Sequence, residues 1–168
     1  GGFGTAYAHH VIVDTDYVLK NKDKPGVVLL DARGAADYKK GLIPGAAVLG
    51  EKAGQVALRD VDARVLPVNK LEKILGEAGL TRENEIIVYG TKGDTGPDVV
   101  FWILEYLGAA KAKVYHGGFD DWTAGKHPLT NEPRKLPAAK FTAKVRPDVI
   151  ATTDYVKKNL QNKEIQFL

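Results

Sequence analysis

The stretch Ile86-Ile-Val-Tyr-Gly-Thr-Lys-Gly-Asp-Thr-Gly-Pro-Asp-Val-Val100 decides the fold. Ile86 to Tyr89 is a short uninterrupted apolar run behind the polar residues Thr81 to Glu85, the pattern of a strand buried on both faces of a parallel sheet. Gly90, Gly93 and Gly96 then punctuate a loop, and Pro97 with Asp98 suits the first turn of a helix, where a missing N–H costs nothing and a carboxylate meets the positive dipole end. From Val99 to Leu107 only Glu105 is polar, so this helix is predicted to be buried all round. Backbone N–H groups of such a strand–loop–helix unit can converge on an anion. Gly90, the loop's first residue, stands where a nucleophile is expected.

Working outward, strands and helices alternate. Val11–Val13 reads as a strand, residues 14–21 as a capped helix, Val27–Leu30 as a buried strand, Ala35–Lys40 as a short helix and Ala46–Val48 as a short strand. Leu71, Ile74, Leu75 and Ala78 share one helix face, in a segment started by Pro67 and closed by Gly79. After the central unit come a strand at Lys113–Tyr115 and a short helix at Asp120–Ala124. The expected class is α/β, with a mainly parallel central sheet flanked by helices on both faces. Ligands in such sheets bind at the carboxyl ends of strands, where the Gly90 loop lies.

The chain also repeats itself. Residues 11–21, VIVDTDYVLKN, match residues 149–159, VIATTDYVKKN, at eight of eleven positions with an offset of 138. The expected organisation is a flexible leader over 1–10, one complete unit over 11–130, an exposed semi-rigid linker over 131–148 with Pro133, Pro137 and Pro147, and the start of a second, truncated unit over 149–168. Residues 149–168 are too few to fold alone, so they are expected to pack on a further polypeptide. Finding them folded back on the first unit would count against a two-unit protein.

Composition removes several classes of function. The 168 residues carry 24 Lys plus Arg against 21 Asp plus Glu, a net charge of +3 without a basic stripe interleaved with aromatics, so no nucleic-acid partner is expected. There is no cysteine, which excludes disulfides, thiolate metal sites and thiol nucleophiles. No apolar run reaches the roughly 18 residues that a membrane-spanning helix needs. His9 and His10 are adjacent and point apart, and no metal or cofactor is expected. The compartment, cytoplasm or periplasm, stays open. The GxxGxxG spacing of Gly90, Gly93 and Gly96 lacks the acidic residue that a dinucleotide site carries about 20 positions on.

Three motifs resemble the rhodanese family. LLDARGAADYKKGLIPGA (29–46) resembles its opening motif, with Leu42 in a position where the family has His; IIVYG and its loop resemble the active-site loop; VYHGGFDDWTAGKHPLTNEP (114–133) resembles the closing Gly-Gly-Phe, Trp, Gly, Pro pattern. Residues 63–89 look more narrowly like the first domain of the tandem thiosulfate and 3-mercaptopyruvate sulfurtransferases. The resemblance implies a thiolate at the loop's first position that carries sulfane sulfur as a persulfide to cyanide or a thiol. Here that position is Gly90, and the late-loop arginine position is Thr95. The implied role is the catalytically silent domain of a sulfurtransferase, partnered by a second rhodanese domain that handles the small anionic sulfur compounds. The alternative is a stand-alone inactive rhodanese-fold binding or regulatory module. Gly90, Thr91, Lys92, Gly93, Asp94 and Thr95 then form a degenerate active-site loop, either a residual anion cradle with Lys92 as its cation or, the preferred reading, a loop kept for packing. Asp31 and Arg33 are expected to form a buried pair, and His116 and His127 to be structural or solvent-facing.

Overall fold

A computed structural model describes residues 9–50, 54–149 and 164–167. One sheet organises them. Its strands are β1 (His9–Val13), β2 (Val27–Asp31), β3 (Ala46–Val48), β4 (Glu85–Tyr89), β5 (Lys113–Tyr115) and β6 (Glu164–Phe167), in the spatial order β3-β2-β4-β5-β1-β6. Every pairing is parallel. The helices are α1 (Thr15–Asn21), α2 (Val68–Glu77), α3 (Gly96–Tyr106) and α4 (Gly118–Ala124), with 3-10 turns at Ala35–Lys40 and Gly54–Leu58. None of the helices described is long and apolar enough to cross a membrane.

Strand alternation sorts the core into two layers. Val28, Leu30, Ile86 and Val88 point to one face, where they meet Leu71 and Leu75 of α2 and the apolar run Val99–Leu104 of α3. Val27, Leu29, Ile87 and Tyr89 point to the other, against Val18 of α1 and Trp122 of α4. Both faces are therefore covered, which is why β2 reads as an unbroken apolar run rather than an alternation. The helix α1 starts as its sequence predicts: the Asp14 side chain accepts a hydrogen bond from the Tyr17 N–H at 2.9 Å. The 3-10 turn at Gly54–Leu58 has no counterpart in the sequence-based expectations, because five residues give no usable period. The expected helix at 35–40 is a 3-10 turn, and His9 and His10 belong to β1 rather than to a leader.

The proline-rich segment was expected to be an exposed connection. It lacks regular structure, but it is strapped to the ends of two helices. The N–H of Ala139 donates to Gly76 O at 2.8 Å, that of Lys144 to Leu107 O at 2.9 Å and that of Arg146 to Tyr106 O at 2.9 Å. Gly76 O also accepts the Gly79 N–H at 2.9 Å, but the Tyr106 and Leu107 carbonyls lie beyond the last intrahelical donors of α3, so there the strap satisfies groups that otherwise need water. Phe141 inserts its ring into the α2–α3 layer and is 3% exposed. Ala143 N–H adds a bond to the Glu72 carboxylate at 2.7 Å. Glycine is required where the strap crosses Gly108: its φ is +89° and a Cβ would lie 2.5 Å from Lys144 O.

The last described residues, β6, extend the sheet. Within this chain, residues 164–167 pair with β1 of the first unit, His9 opposite Glu164 through Ile12 opposite Phe167. Without them β1 is the edge of the sheet, with a row of unpaired N–H and C=O groups that any extended segment can satisfy. Of the expected second unit over 149–168, residues 150–163 and 168 lie outside the described residues.

Candidate functional site

The loop 90–95 leaves the carboxyl end of β4, between β2 and β5, and runs into the N-terminus of α3. It borders a cavity of about 210 Å³ lined by Gly90, Thr91, Asp94, Thr95, Asp98 and His116 among others. The six loop residues named from the sequence lie together at one strand end, and five of them line the cavity. Lys92 is absent from the lining: its N–H donates to Asp120 Oδ1 at 2.8 Å and its ammonium to Asp121 Oδ1 at 2.9 Å, both on α4. Asp94 N–H donates to Thr91 O at 3.0 Å, and the Asp94 carboxylate accepts from Gly96 N–H at 3.3 Å. The loop thus spends several of its donors, and its cation, on its own neighbours. The wall also carries the carboxylate of Asp94, whose sign opposes an anion.

Beneath the loop lies a buried polar network. Asp31 is 0% and Arg33 3% exposed. The guanidinium donates from Nε to both Asp31 oxygens at 3.1 Å and from Nη2 to Oδ2 at 2.8 Å, and the Arg33 N–H donates to Oδ1 at 2.9 Å. Nη2 also reaches Gly41 O at 2.7 Å. Tyr89, the last residue of β4, donates its hydroxyl to Asp31 Oδ2 at 2.6 Å and accepts from Ile43 N–H at 3.2 Å. Phe119 of α4 stacks on the guanidinium, 4.1 Å from ring centroid to carbon. The network ties the ends of β2 and β4, the 41–43 turn and α4 into one block.

Its protonation states are fixed by its surroundings. Burial alone would lower the Arg33 pKa, but the hydrogen bond and charge of Asp31 outweigh it and raise it above its usual value. Burial, then the Asp31 charge and hydrogen bond, raises the Tyr89 pKa far above that of a free phenol, so the hydroxyl stays a donor. Asp31 and Arg33 are the buried pair that the sequence suggested. Tyr89 and Phe119 are members that it did not: Tyr89 read only as the end of an apolar run, and Phe119 only as part of a Gly-Gly-Phe turn.

The two histidines lie in different settings. His127 packs on Trp122 with ring centroids 4.9 Å apart, and the Trp122 indole donates to Pro128 O at 2.7 Å. His116 is exposed at the cavity mouth, its N–H bonded to Val13 O at 3.3 Å. Among the described residues no group of three or more His, Cys, Asp or Glu side chains is placed to hold a metal ion.

A parallel sheet covered by helices on both faces, with a tight glycine loop at the end of a central strand and an Asp-x-Arg pair beneath it, makes up an α/β domain whose candidate site lies at the carboxyl end of the sheet. The chain belongs to the rhodanese family: the rhodanese-like domain matches residues 14–125. It is 32% identical over 114 residues to the thiosulfate sulfurtransferase of Azotobacter vinelandii, covering 68% of this chain and 41% of that protein. It is 26% identical over 148 residues to the sulfur carrier protein TtuD of Thermus thermophilus, covering 86% of this chain and 50% of that protein. Among solved structures, the 3-mercaptopyruvate sulfotransferase SseA of Escherichia coli superposes with a TM-score of 0.72 at 23% identity, over 81% of this chain and 56% of that one. The chain spans about half the length of the curated relatives that it matches.

Proposed function

We propose that this chain is a non-catalytic rhodanese domain of a sulfurtransferase that moves sulfane sulfur from thiosulfate or 3-mercaptopyruvate to a thiophilic acceptor such as cyanide or a thiol. One observation carries the reading: the loop that should hold and activate the sulfur-bearing thiolate has glycine at its first position, and its lysine is paired with Asp121. Without a nucleophile there is no atom to take the sulfur, and without a free cation nothing in the loop offsets the charge of thiosulfate. The chemistry is then the work of a second rhodanese unit in the same protein. The internal repeat supports such a unit, and so does the length of the relatives, about twice the span matched here.

A second reading is favoured by a different observation. The return of Glu164–Phe167 to β1 completes the sheet edge within this chain, as expected of a stand-alone inactive module that binds or regulates without chemistry. Sequence beyond Leu168 separates the two: a second strand and loop that opens with cysteine supports the tandem enzyme, and a loop without cysteine sinks it. For the present chain the test is thiocyanate production from thiosulfate and cyanide. Residues 1–168 are expected to give no turnover above a heat-treated control, and any turnover overturns the silent-domain reading.

A further inference from the structure

The silence of the loop has a second cause besides the missing side chain. We propose that Pro97 is a steric plug: its ring occupies the seat that any side chain on residue 90 requires, so the pair Gly90–Pro97, and not Gly90 alone, closes this site to a nucleophile. The inference rests on the reading of the loop as catalytically silent and adds the residue that keeps it so.

The geometry is direct. A Cβ built on Gly90 lies 2.7 Å from Pro97 Cγ and 3.2 Å from Cδ, whereas its next neighbour, Arg33 Cγ, is at an ordinary 3.9 Å. The backbone of Gly90 is not in the left-handed region, so its conformation does not exclude an L-residue. The ring does. A flexible side chain can swing out of such an approach, but a pyrrolidine ring is closed on its own backbone, and Pro97 is buried in the first turn of α3.

Nor can residue 90 retreat. Its carbonyl accepts the Phe119 N–H at 2.9 Å, and on that side it meets Gly118, whose φ is +57° and whose absent Cβ leaves the only room for the carbonyl. Gly90 is thus clamped between the first turn of α3 and the first turn of α4. Phe119 is held in turn by its stack on Arg33. Placing a thiol at position 90 therefore means displacing α3, whose apolar run fills the core on that face.

A substitution cycle on the full 168-residue chain tests the plug. The chain has no cysteine, so Gly90→Cys introduces the sole thiol, and Gly90→Ala carries the same steric demand without one. The readout is the thermal midpoint of Gly90→Ala, Gly90→Cys, Pro97→Ala and the two double variants, with thiol labelling confirming the Cys forms. Pro97→Ala alone is expected to lower the midpoint, because it removes a residue pre-set for the helix start. In the Gly90→Ala and Gly90→Cys backgrounds the same change is expected to raise it by several degrees. Additive effects, with Pro97→Ala lowering the midpoint in every background, overturn the proposal. So does failure of both double variants to fold where Pro97→Ala itself folds, since the constraint on residue 90 then lies elsewhere. Thiocyanate production by the unsubstituted chain would remove the silent-domain reading and leave this coupling standing; an additive cycle would do the reverse.

Discussion

Replacing Asp31 by Asn keeps the shape of the side chain and removes only its charge and one acceptor, which isolates the buried network under the Gly90 loop. In the native chain Asp31 receives the Arg33 N–H, Nε and Nη2 and the Tyr89 hydroxyl, and among the described residues Arg33 has no other carboxylate at that range. With Asn at 31 the guanidinium stays buried, its side chain 2% exposed, with its counter-charge gone. Breaking such a pair from one side costs about 3–5 kcal/mol. The Tyr89 hydroxyl loses its charged acceptor as well, so the upper half of that range is expected here. For a chain of this size each kcal/mol moves the thermal midpoint by about 2–4 °C, so the loss should be roughly 8–20 °C. Trp102 and Trp122 lie on opposite faces of the sheet and are both fully buried, so tryptophan fluorescence in urea reads both layers. A single transition with a lowered midpoint and an unchanged slope is the expected result. Replacing both partners, Asp31→Leu with Arg33→Met, should cost less than Asp31→Asn alone, because no unpaired charge is left behind. A loss below about 1 kcal/mol for Asp31→Asn would refute the claim that this pair depends on mutual neutralisation in a dry site.

Other perturbations test the strap and its charges. Burial pushes the Glu105 carboxyl up to about 7, against the pull of the Arg146 guanidinium 3.5 Å away and with a further push from Asp148. The folded state therefore binds this proton more tightly than the unfolded chain does. Stability from this group is fully present below its ordinary value near 4.5 and is lost as pH rises to about 7. The loss is on the order of 2–3 kcal/mol. Urea midpoints at pH 5 and pH 8 should differ less in Glu105→Gln than in the native chain, and an unchanged difference removes the assignment. Phe141→Ala should cost about 3–5 kcal/mol if its ring belongs to the core as described. Gly108→Ala, a Cβ forced into a left-handed position, should cost at least about 1–2 kcal/mol. Hydrogen exchange should show the amides of Ala139, Lys144 and Arg146 losing protection together in both variants. Unaltered protection there would mean that the strap is not held by these carbonyls.

How much of this was legible from residue order follows the range of each interaction. The interior strands were readable because Val27–Leu30 and Ile86–Tyr89 are unbroken apolar runs, and α2 because Leu71 and Leu75 share its buried face. Each of these depends on neighbours within a few residues. The strap was not readable as packed structure, because its bonds join residues 37 to 71 positions apart and its sequence has no period; only Phe141, a lone aromatic among prolines and lysines, hinted at a buried end. The loop divides in the same way. Gly90 is visible in one dimension, but the pairing of Lys92 with Asp121, 29 residues away, is not. Pro97 was read correctly as a helix start, yet its second role depends on a side chain that Gly90 does not have, and no pattern in the sequence signals an absent contact.

The interrupted repeat shows how the same offset can lead to two places in a sheet. Aligned by 138 positions, Ile165–Leu168 corresponds to Val27–Leu30, the interior strand between β3 and β4. Yet the two stretches differ in the property that decides position. Val27–Leu30 is apolar throughout, as a strand covered on both faces must be, whereas Glu164, Ile165, Gln166 and Phe167 alternate polar and apolar, the pattern of a strand with one face on a core. An edge place beside β1 accepts that alternation. An interior place would bury Gln166 on one face, where its amide needs partners supplied by the covering helices. The identities at 149–159 thus argue for a second unit and the alternation at 164–167 argues for an edge strand, and these are compatible only if the second unit's covering layer supplies a polar partner at Gln166.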